Sequence, residues 1–188
     1  MSAQNQFSMN TITYLSAFHC ILDTMIQEMT KAELTDSISH NFIVQMIPHH
    51  RAAIEMSKNL LKYTTDIPLQ NIALNIISEQ TKSIKNMESI LPRCQMRPNR
   101  RQELCMYQNR MDQIMQIMFM QMGDAQSSND INVSFMREMI PHHRGAIEMS
   151  KTTLQYSICP ELIPILNAII TSQEKGVAQM RELLNSRC

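Results

Sequence analysis

The sequence predicts an all-α fold, a helical bundle built from two three-helix repeats related by a pseudo-two-fold axis. Three observations predict it. The string from Phe42 to Lys58, FIVQMIPHHRAAIEMSK, returns at Phe135 to Lys151 as FMREMIPHHRGAIEMSK, with 13 of 17 positions identical at an offset of 93. Three glycines and seven prolines in 188 residues leave little room for β-hairpins or disorder. The abundance of Ile, Leu, Met, Gln and Glu, with few aromatics and no Trp, favours helix throughout.

Each repeat reads as three helices, over 13–91 and 106–184, with a linker at 92–105. The first helix carries Phe18, Leu22, Met25 and Met29 at helical spacing, answered by Met111, Met115, Met118 and Met122. The second spans roughly 39–63 and 132–157, with Ser39 and Asp130 as N-caps. Pro48 and Pro141 fall inside it; each removes a backbone donor and predicts a kink beside the histidines. The third runs from about Pro68 to Leu91 and from Glu161 to Leu184, Pro68 suiting a first-turn position. Three helices bury little apolar surface alone, so the repeats are expected to pack into one six-helix domain. Arg93, Arg97, Arg100 and Arg101 in the linker read as a solvated connection rather than an anion site.

Composition excludes several function classes. Seventeen basic and 17 acidic side chains cancel, so no global field draws the chain to nucleic acid or an anionic membrane. No apolar run approaches the ~20 residues of a membrane span. The first residues, MSAQNQFSMNTITYLSAF, lack a basic and then apolar leader pattern, so the default compartment is the cytoplasm, or the periplasm if a leader has been removed. Five widely spaced cysteines with no Cys-x-x-Cys predict neither a disulfide framework nor a structural zinc site. They read as inert buried thiols, with soft-metal ligation as the alternative at Cys94 and Cys188, each of which follows an arginine after a third helix.

The repeated string carries the chemistry. With His49 at zero on a helical wheel, Phe42, Met46, Ala53, Met56 and Leu60 fall within roughly 60° of it, and His50 about 100° round, at the border. The second copy repeats this with Met139, His142, His143 and Met149. The third helices offer a facing stripe with Gln80 and Met87 in one repeat and Gln173 and Met180 in the other. A glutamine inside an apolar stripe needs a partner, and the second nitrogen of a metal-bound imidazole would serve. Imidazole with thioether suits Cu(I), with Ag(I) as the second candidate. Eighteen methionines are several times ordinary usage, yet packing accounts for most of them, since Met fills irregular helical cores. The Glu-x-x-His pattern of di-iron bundles is absent, as are His-Glu-x-x-His, a Walker loop and a dinucleotide fingerprint.

The Met-Ile-Pro-His-His-x-x-Ala-Ile-x-Met string, the glutamine seven residues before a methionine, and the doubling of the unit resemble the bacterial family catalogued as domain of unknown function 305. The resemblance covers nearly the whole chain. It implies a ferritin-like helical bundle, and members are often secreted or periplasmic, some linked to copper binding and tolerance. It implies metal-ligand roles for Met46, His49, His50 and Met56, and for Met139, His142, His143 and Met149. Ser83 and Gly176 stand where the family's third helix usually carries a glutamate.

Two functional expectations follow. One is a non-enzymatic protein that binds Cu(I) for buffering, transfer or tolerance through His49, His50, Met46, Met56 and Met87 and their equivalents His142, His143, Met139, Met149 and Met180. The other is a structural or interaction bundle, assembling as a homodimer, in which Met and His are core packing. A weaker third is an anion site formed by His50, Arg51, His143 and Arg144.

Overall fold

The computed structural model describes residues 7–187, and every described element is helical. In chain order these are α1 (Met9–Thr30), α2 (Ile38–Leu61), α3 (Ile67–Gln95), α4 (Arg101–Gly123), α5 (Ile131–Thr153) and α6 (Leu162–Asn185). The all-α expectation and the three-plus-three arrangement both hold. Helices α2, α3, α5 and α6 form the central layer pair, with α2 on α3, α5 on α6, α3 on α6 and α2 on α5. Helix α1 lies along α2, and α4 takes the equivalent place along α5.

Local chemistry sets the helix starts. Ser8, Ser37, Asp66 and Asp130 each turn a side-chain oxygen back onto a first-turn N–H, satisfying donors that have no helical partner. The cap of α2 is Ser37, not the expected Ser39. Ser39 is the second residue of the helix, and its hydroxyl instead accepts the Cys159 N–H at 2.8 Å. Helices α2 and α5 run through Pro48 and Pro141 unbroken. The expected linker is mostly helical as well: α3 passes Pro92 to reach Gln95, and α4 begins at Arg101. The four arginines around it are exposed, as expected of a solvated connection.

The outer helices contribute the stripes predicted for them. Tyr14, Phe18, Leu22, Met25 and Met29 of α1 are buried, as are Tyr107, Met111, Met115, Met118 and Met122 of α4. Each such side chain contributes roughly 1.5–3 kcal/mol by leaving water. Gly145 lets α4 and α5 meet closely, because a Cβ there would fall among the side-chain atoms of Met118, 2.7 Å from its Cγ.

The cysteines depart from expectation. Cys94, at the end of α3, is disulfide-bonded to Cys159, which precedes α6, with Cα atoms 5.4 Å apart. Cys20 and Cys105 are exposed free thiols rather than buried ones, and Cys188 lies outside the described residues. The disulfide joins the repeats beside the start of α2, where the Ser37 hydroxyl also donates to the Cys94 carbonyl at 2.8 Å. Asn99 fastens the same corner: its N–H donates to the Asp36 carbonyl, and its side-chain amide accepts from Ile38 and donates to the Ser157 carbonyl.

Candidate metal centre

Helix α2 is enclosed by α1, α3 and α5, and α5 by α4, α6 and α2, so neither keeps the single buried face of a surface helix. His49 and His142 are completely buried, at the crossing of α2 and α5. His50 and His143, expected at the border of that face, are only 1% and 2% exposed. The wheel places them correctly, but the face they point from is covered by α3 and α6.

The first histidine of each pair meets its counterpart across the pseudo-two-fold axis. The two rings lie 3.7 Å apart between centroids, tilted by 30°. His49 Nε2 donates to the His142 carbonyl and His142 Nε2 donates to the His49 carbonyl, both at 3.1 Å. A carbonyl can only accept, so the ring hydrogen belongs on Nε2 and the lone pair on Nδ1. The second histidines differ from each other. His50 Nε2 lies 3.1 Å from the Ser83 hydroxyl. His143 faces Gly176 instead, and the ring occupies the space a side chain would need: a Cβ at Gly176 would stand 2.8 Å from His143 Cδ2.

All four Nδ1 atoms are buried and without a hydrogen-bond partner among the described residues. Burial holds all four rings neutral. It lowers His49 to a pKa of about 4, against the raising effect of its bond to the His142 carbonyl. It lowers His143 to about 3, with the neighbouring His49 adding to the shift. His50 and His142 move in the same direction, first by burial and then through the other rings. A neutral, unprotonated imidazole nitrogen is a metal ligand or an orphan, and four buried orphans would each cost roughly 1–3 kcal/mol.

Met46, Met56, Met87, Met139, Met149 and Met180 are all in the core. Among the described residues, no three His, Cys, Asp or Glu side chains converge on a point that could hold an ion. An ion taken up here would draw the rest of its donors from the thioethers, which fits a soft ion and not a hard one. Gln80 and Gln173 are buried, but neither amide bonds an imidazole, and both Oε1 atoms lack partners. Three Nε2 atoms go elsewhere, those of His49 and His142 to the opposite backbone and that of His50 to Ser83. Arg51 and Arg144 are exposed while His50 and His143 are not, so these four form no common anion site.

The family described as domain of unknown function (DUF305) matches residues 39–184, a span that holds both His-His pairs. The chain belongs to this family. Among curated proteins none matches the sequence. Among solved structures, a DUF305 fragment from Deinococcus radiodurans superposes with a TM-score of 0.58 at 21% identity, covering 79% of this chain and 96% of that one, and so shows the shared fold. CopM in its silver-bound form superposes with a TM-score of 0.58 at 27% identity, over 81% of this chain and 96% of that one. Its Cu(I)-bound form gives 0.58 at 26%, over 82% and 98%. CopM has also been solved with Cu(II).

Sequence reasoning missed one buried charged group in this DUF305 chain. Glu138 on α5 is 3% exposed and accepts a 2.6 Å hydrogen bond from the Tyr14 hydroxyl of α1. Burial pushes its pKa up to about 7, with the Tyr14 bond pulling the other way. The signal was available: Glu138 stands four residues before His142 on the same face, and its equivalent in the first repeat is the neutral Gln45.

Proposed function

We propose that this protein binds a soft monovalent metal ion, Cu(I) foremost and Ag(I) alongside it, and serves to buffer or transfer that ion without catalysing a reaction. The observation that carries the reading is the cluster of four buried, neutral imidazoles, each with an Nδ1 that has no hydrogen-bond partner among the described residues, and on His49 and His142 that nitrogen carries the lone pair. The core around them is rich in thioethers, which carry no proton to lose and no charge to desolvate. Similarity to CopM, whose structures hold silver and copper, supports the same ligand class. His49, His50, Met46, Met56 and Met87, with His142, His143, Met139, Met149 and Met180, are the proposed donors, Met87 and Met180 being buried on α3 and α6. The Cys94–Cys159 disulfide favours an oxidising compartment over the reduced cytoplasm expected from the N-terminal residues.

The packing alternative has an observation of its own: His49 and His142 already complete a mutual hydrogen-bonded stack without any ion. Anaerobic Cu(I) competition against a coloured chelator separates the two readings. The His49→Ala, His142→Ala double variant is expected to lose most of the competition. Met46→Leu with Met139→Leu is expected to weaken it while circular dichroism stays unchanged, because Leu replaces Met at similar volume. Parent-like competition by folded samples of both variants makes the imidazoles and thioethers packing, and the interaction bundle becomes the function.

A further inference from the structure

The two halves of the centre are built alike but not closed alike. In the first repeat, the Ser83 hydroxyl holds His50 Nε2 at 3.1 Å. In the second, glycine stands at the serine's place, and His143 Nε2 has no hydrogen-bond partner among the described residues. A Cβ at Gly176 would lie 2.9 Å from that nitrogen, so the ring rests against the α6 backbone in space that only glycine leaves open. A cleft of 570 Å³ between α3 and α6 ends on this ring, with Glu79, Gln80, Gln173 and Lys175 among its walls. The counterpart that reaches His50 is 260 Å³ and is walled in part by Pro164 and Ile165.

We propose that the cleft between α3 and α6 is the entrance for a soft metal ion and that His143 Nε2 is its first ligand, so that the second repeat loads before the first. The inference rests on the metal-binding reading above. The four Nδ1 atoms and the core thioethers are enclosed, so a hydrated ion cannot reach them directly. Low-coordinate soft ions move by ligand exchange, in which the incoming donor takes hold before the last one lets go. His143 lines the end of the cleft, and in the tautomer with its hydrogen on Nδ1 its Nε2 lone pair supplies that first hold. Glu79 and Lys175 carry opposite charges at the walls, so the entrance has little net field and selects by ligand softness rather than by charge. Gly176 then has a role that its helical position would otherwise argue against, since glycine inside a helix costs roughly 1 kcal/mol.

The test uses the full chain with ¹⁵N-labelled histidine at neutral pH, following imidazole nitrogens by long-range ¹H–¹⁵N correlation as Ag(I) is added below one equivalent. His143 Nε2 is expected to shift first and His50 only later. Gly176→Ala, whose methyl would press on the ring, is expected to slow Ag(I) uptake at least tenfold by stopped-flow. Ser83→Gly, which frees His50 Nε2 and adds no bulk, is expected to make the two halves load together. The inference is overturned if His50 and His143 shift together in the parent chain. It is also overturned if Ser83→Gly leaves the order of loading unchanged, or if a folded Gly176→Ala protein takes up Ag(I) within twofold of the parent rate. If no imidazole nitrogen moves at saturating Ag(I), the metal-binding reading itself fails, which is a different result from a wrong order.

Discussion

Acid should destabilise the metal-free protein before most of its carboxylates are titrated, and the size of the effect follows from four buried rings. An unfolded histidine takes up its proton near pH 6.5, whereas His49 in the fold does so only at about 4 and His143 at about 3. Between those values the unfolded chain binds more protons than the native one, so stability is complete above pH 6.5 and falls as the pH falls. At ~1.4 kcal/mol per pKa unit, His49 alone forfeits roughly 3 kcal/mol by pH 4, and His143 a similar amount. His50 and His142 act in the same direction. Glu138 opposes them: its pKa is raised to about 7, so its contribution is complete below 4.5 and lost as pH rises through 7. One carboxyl against at least two imidazoles leaves a net loss of about 1.4 kcal/mol or more per pH unit below 6.5. Carried from pH 6.5 to pH 4, that slope removes roughly 3–4 kcal/mol, a large share of a typical total of about 5–15 kcal/mol. Urea titrations followed by circular dichroism at half-unit pH steps measure the slope. A midpoint unchanged from pH 7 to pH 5 would mean that the rings are solvated in solution, and the argument from burial would be refuted.

Two further outcomes are expected. Cys159→Ser opens a cross-link spanning 65 residues, which should cost about 4 kcal/mol by loop-closure entropy and be seen as a lowered thermal midpoint that reductant no longer affects. Gly145→Ala should destabilise by about 1–3 kcal/mol in urea, with the cost shrinking in a Met118→Ala background, since the new methyl would occupy the place of that side chain.

Helix identity and the burial of His49 and His142 were legible because they depend on periodicity along one helix. The covering of His50 and His143 was not, because it depends on which other helices surround α2 and α5, and a wheel describes only one helix at a time. The repeat was a sound guide to the equivalence of His49 and His142 across the 93-residue offset, but their direct contact was not read from it. It misled at Cys94, which resembles Cys188 in local sequence but bonds Cys159, a position with no equivalent role in the other half. The partners of Gln80 and Gln173 were expected among the imidazoles, but neither amide bonds one although all four Nδ1 atoms stay unpartnered, and the direction in which a side-chain amide turns is invisible to a residue pattern. Glu138 was readable as a charge on the buried stripe, and its partner Tyr14 was not, since 124 residues separate them.

The exchange of hydrogen bonds between His49 and His142 has a consequence for how such a centre can change. Each ring needs the other repeat's backbone, so half of the chain would own half of the centre and could complete it only by meeting a second copy. Covalent fusion turns that meeting into an intramolecular event whose success no longer depends on how much protein is present. It also lifts a restriction, because a symmetric pair of identical chains must carry every residue twice. In the fused chain a serine can guard one ring while glycine bares the other, and a carboxyl can sit beside one histidine pair opposite a neutral amide beside its twin.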